Sequence, residues 1–340
     1  MTGMTVKNIL VYVDGDLMGD GLMKLPMIRA LRAAYPSAHI TWCAGKLPSI
    51  FAADLAPFVR GLIDEVIEKA LVHEKPWHGL RRPLNGRRFD LVIDTQTSVM
   101  RTLQLRRIKS RRFISATARF LLSDARPVSR SLPGSLPEQL IALAGLAAET
   151  SVQSAAAPLP LEAAWLQAAA SALPPGPVYV GFAPGAGGRH KCWPLEYYID
   201  LARKQVEKGR VPVFILGPSE ADWADEISRA LPTCMIPSSL GEGTRSRCSA
   251  SAAFTVAVGQ RLALAVSNDS GCGHLLAASD VPLVSLFGPT SATKFRPAAR
   301  LTECIEARNF GQSGMAAIPV AAVESVVERM LGRWQSAAAF

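Results

Sequence analysis

The sequence predicts an α/β protein built of two doubly wound, parallel-sheet units. Three observations carry this. The chain has 340 residues, about twice the length of a common domain. Short apolar runs alternate with amphipathic segments of helix length, the signature of parallel βαβ units, and the series occurs twice. Between the two series, residues 151–177 turn rich in Ala and Pro, as a connector does.

The first series opens with a strand over 8–13 (NILVYV), then a glycine-bearing loop, a helix over 25–35, a strand over 39–43 and a further strand over 90–93. The second repeats the order: strand 178–183, a Gly-rich loop, helix 194–208, then strands 211–216 and 262–266, helix 272–278 and strand 283–287. Helix 194–208 has the strongest pattern. Leu195, Tyr198, Ile199, Ala202 and Val206 recur at i, i+3, i+4 spacing, Pro194 suits a first helical position, and Gly209 suits the residue just past the end. A last helix over 321–334 closes the chain. The domains read as 1–155, a linker over 156–177, a second domain over 178–320, and a C-terminal helix and tail over 321–340. No tandem repeat of 20–50 residues interrupts this plan.

Composition narrows the function. Apolar residues make up 49% of the chain, which excludes a mainly disordered protein, and the formal charge of +9 asks for an acidic partner. Six cysteines, at 43, 192, 234, 248, 272 and 304, form no C-x-x-C pair, so neither a zinc ribbon nor a disulfide-dense module is expected. They read as mostly reduced thiols of a cytoplasmic protein, and the opening MTGMTVKNILVYV has no signal-peptide pattern. The apolar stretches 141–148 and 252–266 are short, or broken by Gln260 and Arg261. Neither reaches the roughly 20 residues of a membrane span, and any membrane contact would be peripheral.

Open α/β sheets bind ligands beyond the carboxyl ends of their strands, so the loops after strands are where chemistry is sought. The loop from Asp14 to Gly21 follows the first strand. Its glycines are spaced G-x3-G-x-G, which misses the dinucleotide fingerprint. Asp14-Gly15-Asp16 has the form of a metal-chelating Asp-x-Asp, but a three-residue match arises often by chance, and no metal or other cofactor is expected. Asp20, between two glycines, can accept a proton from an alcohol or cap the helix before Pro26. The loop from Ala183 to Pro194 joins a strand end to a helix start. Its small residues, Gly185 and Ala186 among them, let backbone N–H groups approach a phosphate, and Lys191 adds a full charge. The alternative is a flexible turn with a solvated lysine. In Ser267–His274, Asp269 or Ser270 can cap a helix and leave the N–H groups near Gly271 facing an anion, with His274 one turn in, either packed or in reach of that anion. Lastly, residues 81–112 hold ten basic residues against two acidic ones. Such a run is a solvated face or the footprint of a phosphate-bearing or lipid-associated partner; no nucleic-acid-binding motif accompanies it.

Together these loops resemble glycosyltransferase family 9, the bacterial heptosyltransferases of lipopolysaccharide core assembly. The segments that carry the resemblance are ILVYVDGDLMGDGLMKLPMIRAL, FDLVIDTQT, VGFAPGAGGRHKCWPLEYYIDLA, FILGPSE and VSNDSGCGHLLAASDVPLVSLFGPT, in the family's order from the first strand to about Pro297. The resemblance implies a GT-B fold of two Rossmann-like domains facing across a cleft, with the acceptor on the N-terminal domain and the nucleotide-diphosphate sugar on the C-terminal one. It implies Asp20 as general base and Lys191 as the diphosphate-contacting lysine, with Gly185, Ala186, Asp269, Ser270, Gly271 and His274 around the donor and Glu220 as the ribose-binding acid. Gly19, Gln96, Arg106, Arg107, Arg111 and Arg112 fall on the acceptor side. The expected reaction is metal-independent, inverting transfer of a sugar, heptose from ADP-heptose, to a lipid-linked phosphorylated glycan at the cytoplasmic face of the inner membrane. A nucleotide-sugar epimerase and a catalytically silent binder are the alternatives. Two departures stand out: the family usually has a basic residue where Asp14 stands and a small one where Asp16 stands, and the segment 241–251 is atypical.

Overall fold

The computed structural model describes residues 6–70, 72, 83–129, 131–150, 152, 159–237 and 251–338, with side chains to 333. Apart from Ser251, the atypical 241–251 segment lies outside these residues, as do Arg81 and Arg82 of the basic run. The chain divides into two compact units, Met1–Ala155 and Ala156–Phe340.

Unit 1 is built on five parallel strands, β1 (Asn8–Val13), β2 (His39–Ala44), β3 (Glu65–Ile67), β4 (Arg88–Asp94) and β5 (Lys109–Ser115), in the order β3-β2-β1-β4-β5. In the centre, β1 pairs with β2 from Asn8↔His39 to Val13↔Ala44 and with β4 from Ile9↔Leu91 to Tyr12↔Asp94. Residues Ile9 to Val13 are fully buried. A strand covered on both faces needs an unbroken apolar run, and NILVYV supplies one. The helices are α1 (Met18–Ala34), α2 (Val99–Leu105), a short turn α3 (Thr117–Phe120) and α4 (Leu136–Ala148). α1 begins seven residues before the expected start at 25 and contains both Asp20 and Pro26.

Unit 2 opens with α5 (Ala163–Ala172) in the stretch expected to be a linker. Ala169, Ala172 and Leu173 are buried in one cluster with Phe254 and Val258, so this part of the stretch packs as an element of unit 2. There follow β6 (Tyr179–Ala183), α6 (Leu195–Glu207), β7 (Val211–Phe214), α7 (Trp223–Ala230), α8 (Ala252–Gly259), β8 (Leu264–Asn268), α9 (Gly271–Ala278), β9 (Leu283–Phe287), α10 (Ala292–Phe295), β10 (Thr302–Glu306) and α11 (Val320–Ala338). The sheet order is β10-β9-β8-β6-β7, again all parallel. On α6 the predicted stripe of Leu195, Tyr198, Ile199 and Ala202 is buried, and Gly209 follows the helix at φ +73. α11 lies against this layer: Val323, Val327, Met330 and Leu331 share a core with Trp193 and Tyr198, and Lys204 and Arg210 reach Glu324 and Glu328.

The strand orders locate the candidate sites. In unit 1 the chain winds outward from β1 to β3 and then returns to the other side of β1 with β4, so the order reverses between β1 and β4. In unit 2 it reverses between β6 and β8. Loops at such a reversal part from each other and leave a crevice at the carboxyl edge. Among the described residues no helix is long and apolar enough to cross a membrane.

Candidate active site

At the reversal point of unit 1, the loop after β1 and the start of α1 carry Asp14, Asp16, Gly19 and Asp20, while Asp94 ends β4 and Thr95 and Gln96 follow it. Asp16 faces inward. It is 4% exposed, accepts hydrogen bonds from Trp42 Nε1 (2.8 Å) and Ser49 Oγ (3.0 Å), and pairs with the buried ammonium of Lys24. Asp14 pairs through Oδ2 with Arg101 Nη1 of α2 at 2.5 Å. Each acid of the departing Asp-x-Asp therefore has its own cation, which accounts for acids at these two positions; Asp14 Oδ1, buried beside its pair, has no hydrogen-bond partner among the described residues. Among the described residues, no group of three or more His, Cys, Asp or Glu gathers to hold a metal ion.

Asp20 is the third residue of α1, half-buried at its first turn. The capping position is Leu17, with no side-chain cap, so the reading of Asp20 as an N-cap is corrected. A carboxylate in the first turn is favoured by the positive end of the helix dipole. Across the reversal point Asp94 is fully buried and satisfied: Oδ1 accepts from the Gln96 amide (2.9 Å), Oδ2 from the hydroxyls of Thr102 (2.6 Å) and Ser115 (3.0 Å). It fixes the turn that carries Gln96. Tyr12 lies beneath, its hydroxyl pKa raised by burial and then by Asp14.

The basic run is largely engaged with the fold. Arg87 pairs with Glu65, Arg106 with Asp124 while lying over the Phe113 ring, and Arg111 with Asp90. Arg112 pairs with Glu149 and donates to the carbonyls of Leu146 (2.8 Å) and Ala147 (3.3 Å), capping the carboxyl end of α4. Arg111 and Arg112 lie within β5, a strand the sequence reading missed, rather than in the loops beside Asp20.

The reversal point of unit 2 gathers the other set. Asn268, at the end of β8 and fully buried, holds it together: Oδ1 accepts from the Trp193 amide (3.0 Å) and the Tyr198 hydroxyl (3.1 Å), and Nδ2 donates to the Pro184 carbonyl (2.7 Å). Trp193 is fully buried, and its Nε1 donates to Ile318 at 2.9 Å. With the loop pinned at Pro184 and Trp193, the residues between them are held at the strand ends. Lys191 ends a short 3-10 turn there, half-buried, with no ion pair to any described residue. Its neighbour Arg189 donates to both Asp222 oxygens (3.2 and 3.1 Å) and to the Ser219 carbonyl (3.3 Å), and lies 4.1 Å over the Trp223 ring. This ties the β6 loop to the β7 loop, where Glu220 sits.

Glu220 is 7% exposed and accepts from the Gly217 amide (3.0 Å). Gly185 lies against it: a Cβ there would come within 2.5 Å of Glu220 Cδ, so a larger residue would push the Glu220 carboxylate from its place. Next to them Ser270 caps α9, its Oγ accepting from the Gly273 amide (3.2 Å). The structure thus chooses Ser270 over Asp269 as the cap. Asp269 is held by its own amide on Leu286 (2.9 Å), and His274 is buried within α9. Gly185, Ala186, Lys191, Glu220, Asp269, Ser270, Gly271 and His274 thus share one carboxyl edge, with a capped helix start, a lysine and a buried acid around it.

The sequence profile of glycosyltransferase family 9 (heptosyltransferase) matches residues 77–315. The chain belongs to glycosyltransferase family 9. Lipopolysaccharide heptosyltransferase 2 of Salmonella typhimurium is 27% identical over 306 residues, 83% of each chain. Among solved structures, a family 9 glycosyltransferase from Veillonella parvula superposes with a TM-score of 0.71 at 20% identity, over 97% of this chain and 99% of its own. An Escherichia coli heptosyltransferase solved with ADP-2-deoxy-2-fluoro heptose does so with a TM-score of 0.66 at 19% identity, over 95% and 99%. The fold is accordingly GT-B, with two parallel-sheet α/β domains, and this family 9 chain is a glycosyltransferase. The side chains that sequence reasoning missed in it are Asn268, Arg189 and Asp94. Asn268 stood inside a quoted motif, but an amide gives no sign of bridging two loops. Arg189 stood in the Gly-rich loop with no partner assigned to it.

Proposed function

We propose that the chain is an inverting heptosyltransferase that moves heptose from ADP-heptose to a lipid-linked, phosphorylated core glycan of lipopolysaccharide at the cytoplasmic face of the inner membrane. The observation that carries this is the edge at the β6/β8 reversal, where Lys191 and the capped start of α9 converge beside the buried Glu220. Helix amides and a lysine suit a diphosphate, and a buried acid suits a ribose hydroxyl pair. The family's heptosyltransferase relatives, one solved with an ADP-heptose analogue, support the choice of donor.

In this reading Asp20 takes the proton of the acceptor hydroxyl as its oxygen attacks the anomeric carbon, and ADP departs from the opposite face. Lys191, the amides near Gly271, and His274 receive the charge that develops on the diphosphate. Gly19 and Gln96 border the acceptor at the edge that holds Asp20. Arg107 meets its phosphates, whereas Arg106, Arg111 and Arg112 serve mainly the fold.

The test is ADP release from ADP-heptose with a lipopolysaccharide core acceptor. Wild type should turn over; Asp20→Asn should lose roughly 10²–10⁴ in kcat with ADP affinity kept, and Lys191→Ala should lose ADP affinity and turnover together. Full activity of Asp20→Asn would remove the base from this scheme. Consumption of donor without acceptor would point to epimerisation, and binding without turnover to a silent family member.

A further inference from the structure

The carboxyl edge of the first sheet carries a feature that sugar transfer does not use. Thr102 and Leu105 pack α2 inward, while Val99, Met100 and Leu103 stand in solvent, Met100 at 66% exposure. After β5, Ala118, Arg119 and Phe120 all have positive φ, a turn that buries Phe120 and projects Leu121 at 74% exposure. Leu17 and Leu47, after β1 and β2, are exposed as well. These side chains lie on connected segments. Thr102 hydrogen-bonds Thr117 (2.7 Å), Arg101 pairs with Asp14, and the Asp16 amide bonds the Pro48 carbonyl (3.2 Å). An exposed leucine alone is ordinary; a joined set of them marks a contact surface.

Charge selects what that surface contacts. Arg107, one turn beyond Leu103 on the exposed side of α2, and Arg119, two residues before Leu121, are both exposed cations beside the apolar side chains. A second copy of the chain would set the same cations against themselves in a two-fold contact. An anionic bilayer offers hydrocarbon to the leucines and negative headgroups to the arginines.

We propose that Val99, Met100, Leu103 and Leu121, framed by Arg107 and Arg119, form the surface by which unit 1 lies on an anionic phospholipid bilayer, with the apolar side chains inserted at the headgroup boundary. This rests on the transfer reading for its purpose: it sets the edge bearing Asp20 against the bilayer that holds a lipid-linked acceptor. Arg101, Arg106, Arg111 and Arg112 are each paired with an acid of the chain, so insertion of the apolar side chains has to supply a substantial share of the affinity beside the attraction of the headgroups.

The experiment is sedimentation of the full chain with vesicles of phosphatidylcholine containing an equal share of phosphatidylglycerol, and with pure phosphatidylcholine, without donor or acceptor. Wild type should bind the mixed vesicles and bind the neutral ones weakly. Met100→Gln/Leu103→Gln/Leu121→Gln should lower partitioning by about tenfold or more, with an unchanged melting temperature, because all three side chains are exposed. Met100→Trp gives a second measure: its fluorescence should be quenched by brominated lipid beyond the wild-type background. Equal binding by the triple variant would mean adsorption through arginines alone, and would overturn the proposal. So would an absence of vesicle binding, or a wild-type dimer that the triple variant dissolves. No substrate is present, so failure of the transfer reaction leaves this test intact, and loss of vesicle binding leaves the transfer reading intact.

Discussion

Replacing Asn268 with Ala should damage donor binding more than the loss of one uncharged side chain suggests. The substitution leaves the Trp193 amide without its acceptor and the Pro184 carbonyl without its donor, both in a buried setting. The Tyr198 hydroxyl keeps a longer contact with the Ala183 carbonyl at 3.4 Å. A buried polar group left unpaired costs roughly 1–3 kcal/mol, so two of them predict a loss of roughly 2–6 kcal/mol, before any cavity is counted. For a unit of this size that is a drop on the order of 10 °C in melting temperature. The loop between the two pins carries Lys191, so ADP affinity should fall by about tenfold. Asn268→Asp keeps the acceptor for Trp193 but turns a carboxylate oxygen toward the Pro184 carbonyl, so it too should fall short of wild type. Thermal unfolding followed by tryptophan fluorescence and calorimetric titration with ADP give the two readouts. A melting temperature within a degree of wild type, together with unchanged ADP affinity, would refute the clamp.

The buried pair in unit 1 should behave as a unit: Asp16→Asn or Lys24→Met alone should cost roughly 3–5 kcal/mol, and the double variant markedly less than the sum. Urea unfolding of the four proteins measures this, and strictly additive losses would mean the two charges do not pair. Activity should survive EDTA, since Lys24 and Arg101 already neutralise the two carboxylates that could ligate a metal; loss of turnover restored by magnesium would reverse that. Hydrogen bonding to Arg210 holds the Glu328 carboxyl well below its usual 4.5, at about 2. A depressed carboxylate contributes stability that is full above its unfolded pKa and is lost as pH falls through its folded one. Glu328→Gln should therefore be less stable than wild type near neutrality and lose stability less steeply between those two values, as acid unfolding curves would record.

The parts of the fold that were legible are those whose burial is uniform. β1 reads to the residue because both its faces are covered, and α6 reads because only one of its faces is. α1 was cut short at its start because Gly19, Gly21 and Pro26 look like punctuation. Gly21 is needed inside the helix, where Ile50 would meet any Cβ at 2.5 Å. β5 was hidden for the opposite reason. As an edge strand it carries KSRR on a half-exposed stretch, and its pairing with β4 outweighs a composition that reads as surface. At the candidate site, the small residues and charges could be placed after the strands because the strands before them were themselves readable. The partners of those charges were not, since Asp14–Arg101 and Arg189–Asp222 join loops that only the tertiary fold brings together.

The bond from Trp193 to Ile318 has a consequence for how the chain is made. The indole waits for a carbonyl 125 positions further on, and the core around it is completed only by Val323, Val327, Met330 and Leu331 of α11. On a ribosome that adds residues from the amino end, unit 1 can close its sheet once β5 and α4 have emerged. The lysine-bearing loop of unit 2 cannot settle until α11 has emerged as well. The half that would meet the acceptor is therefore ready early in synthesis, and the half that would hold the nucleotide is assembled after it.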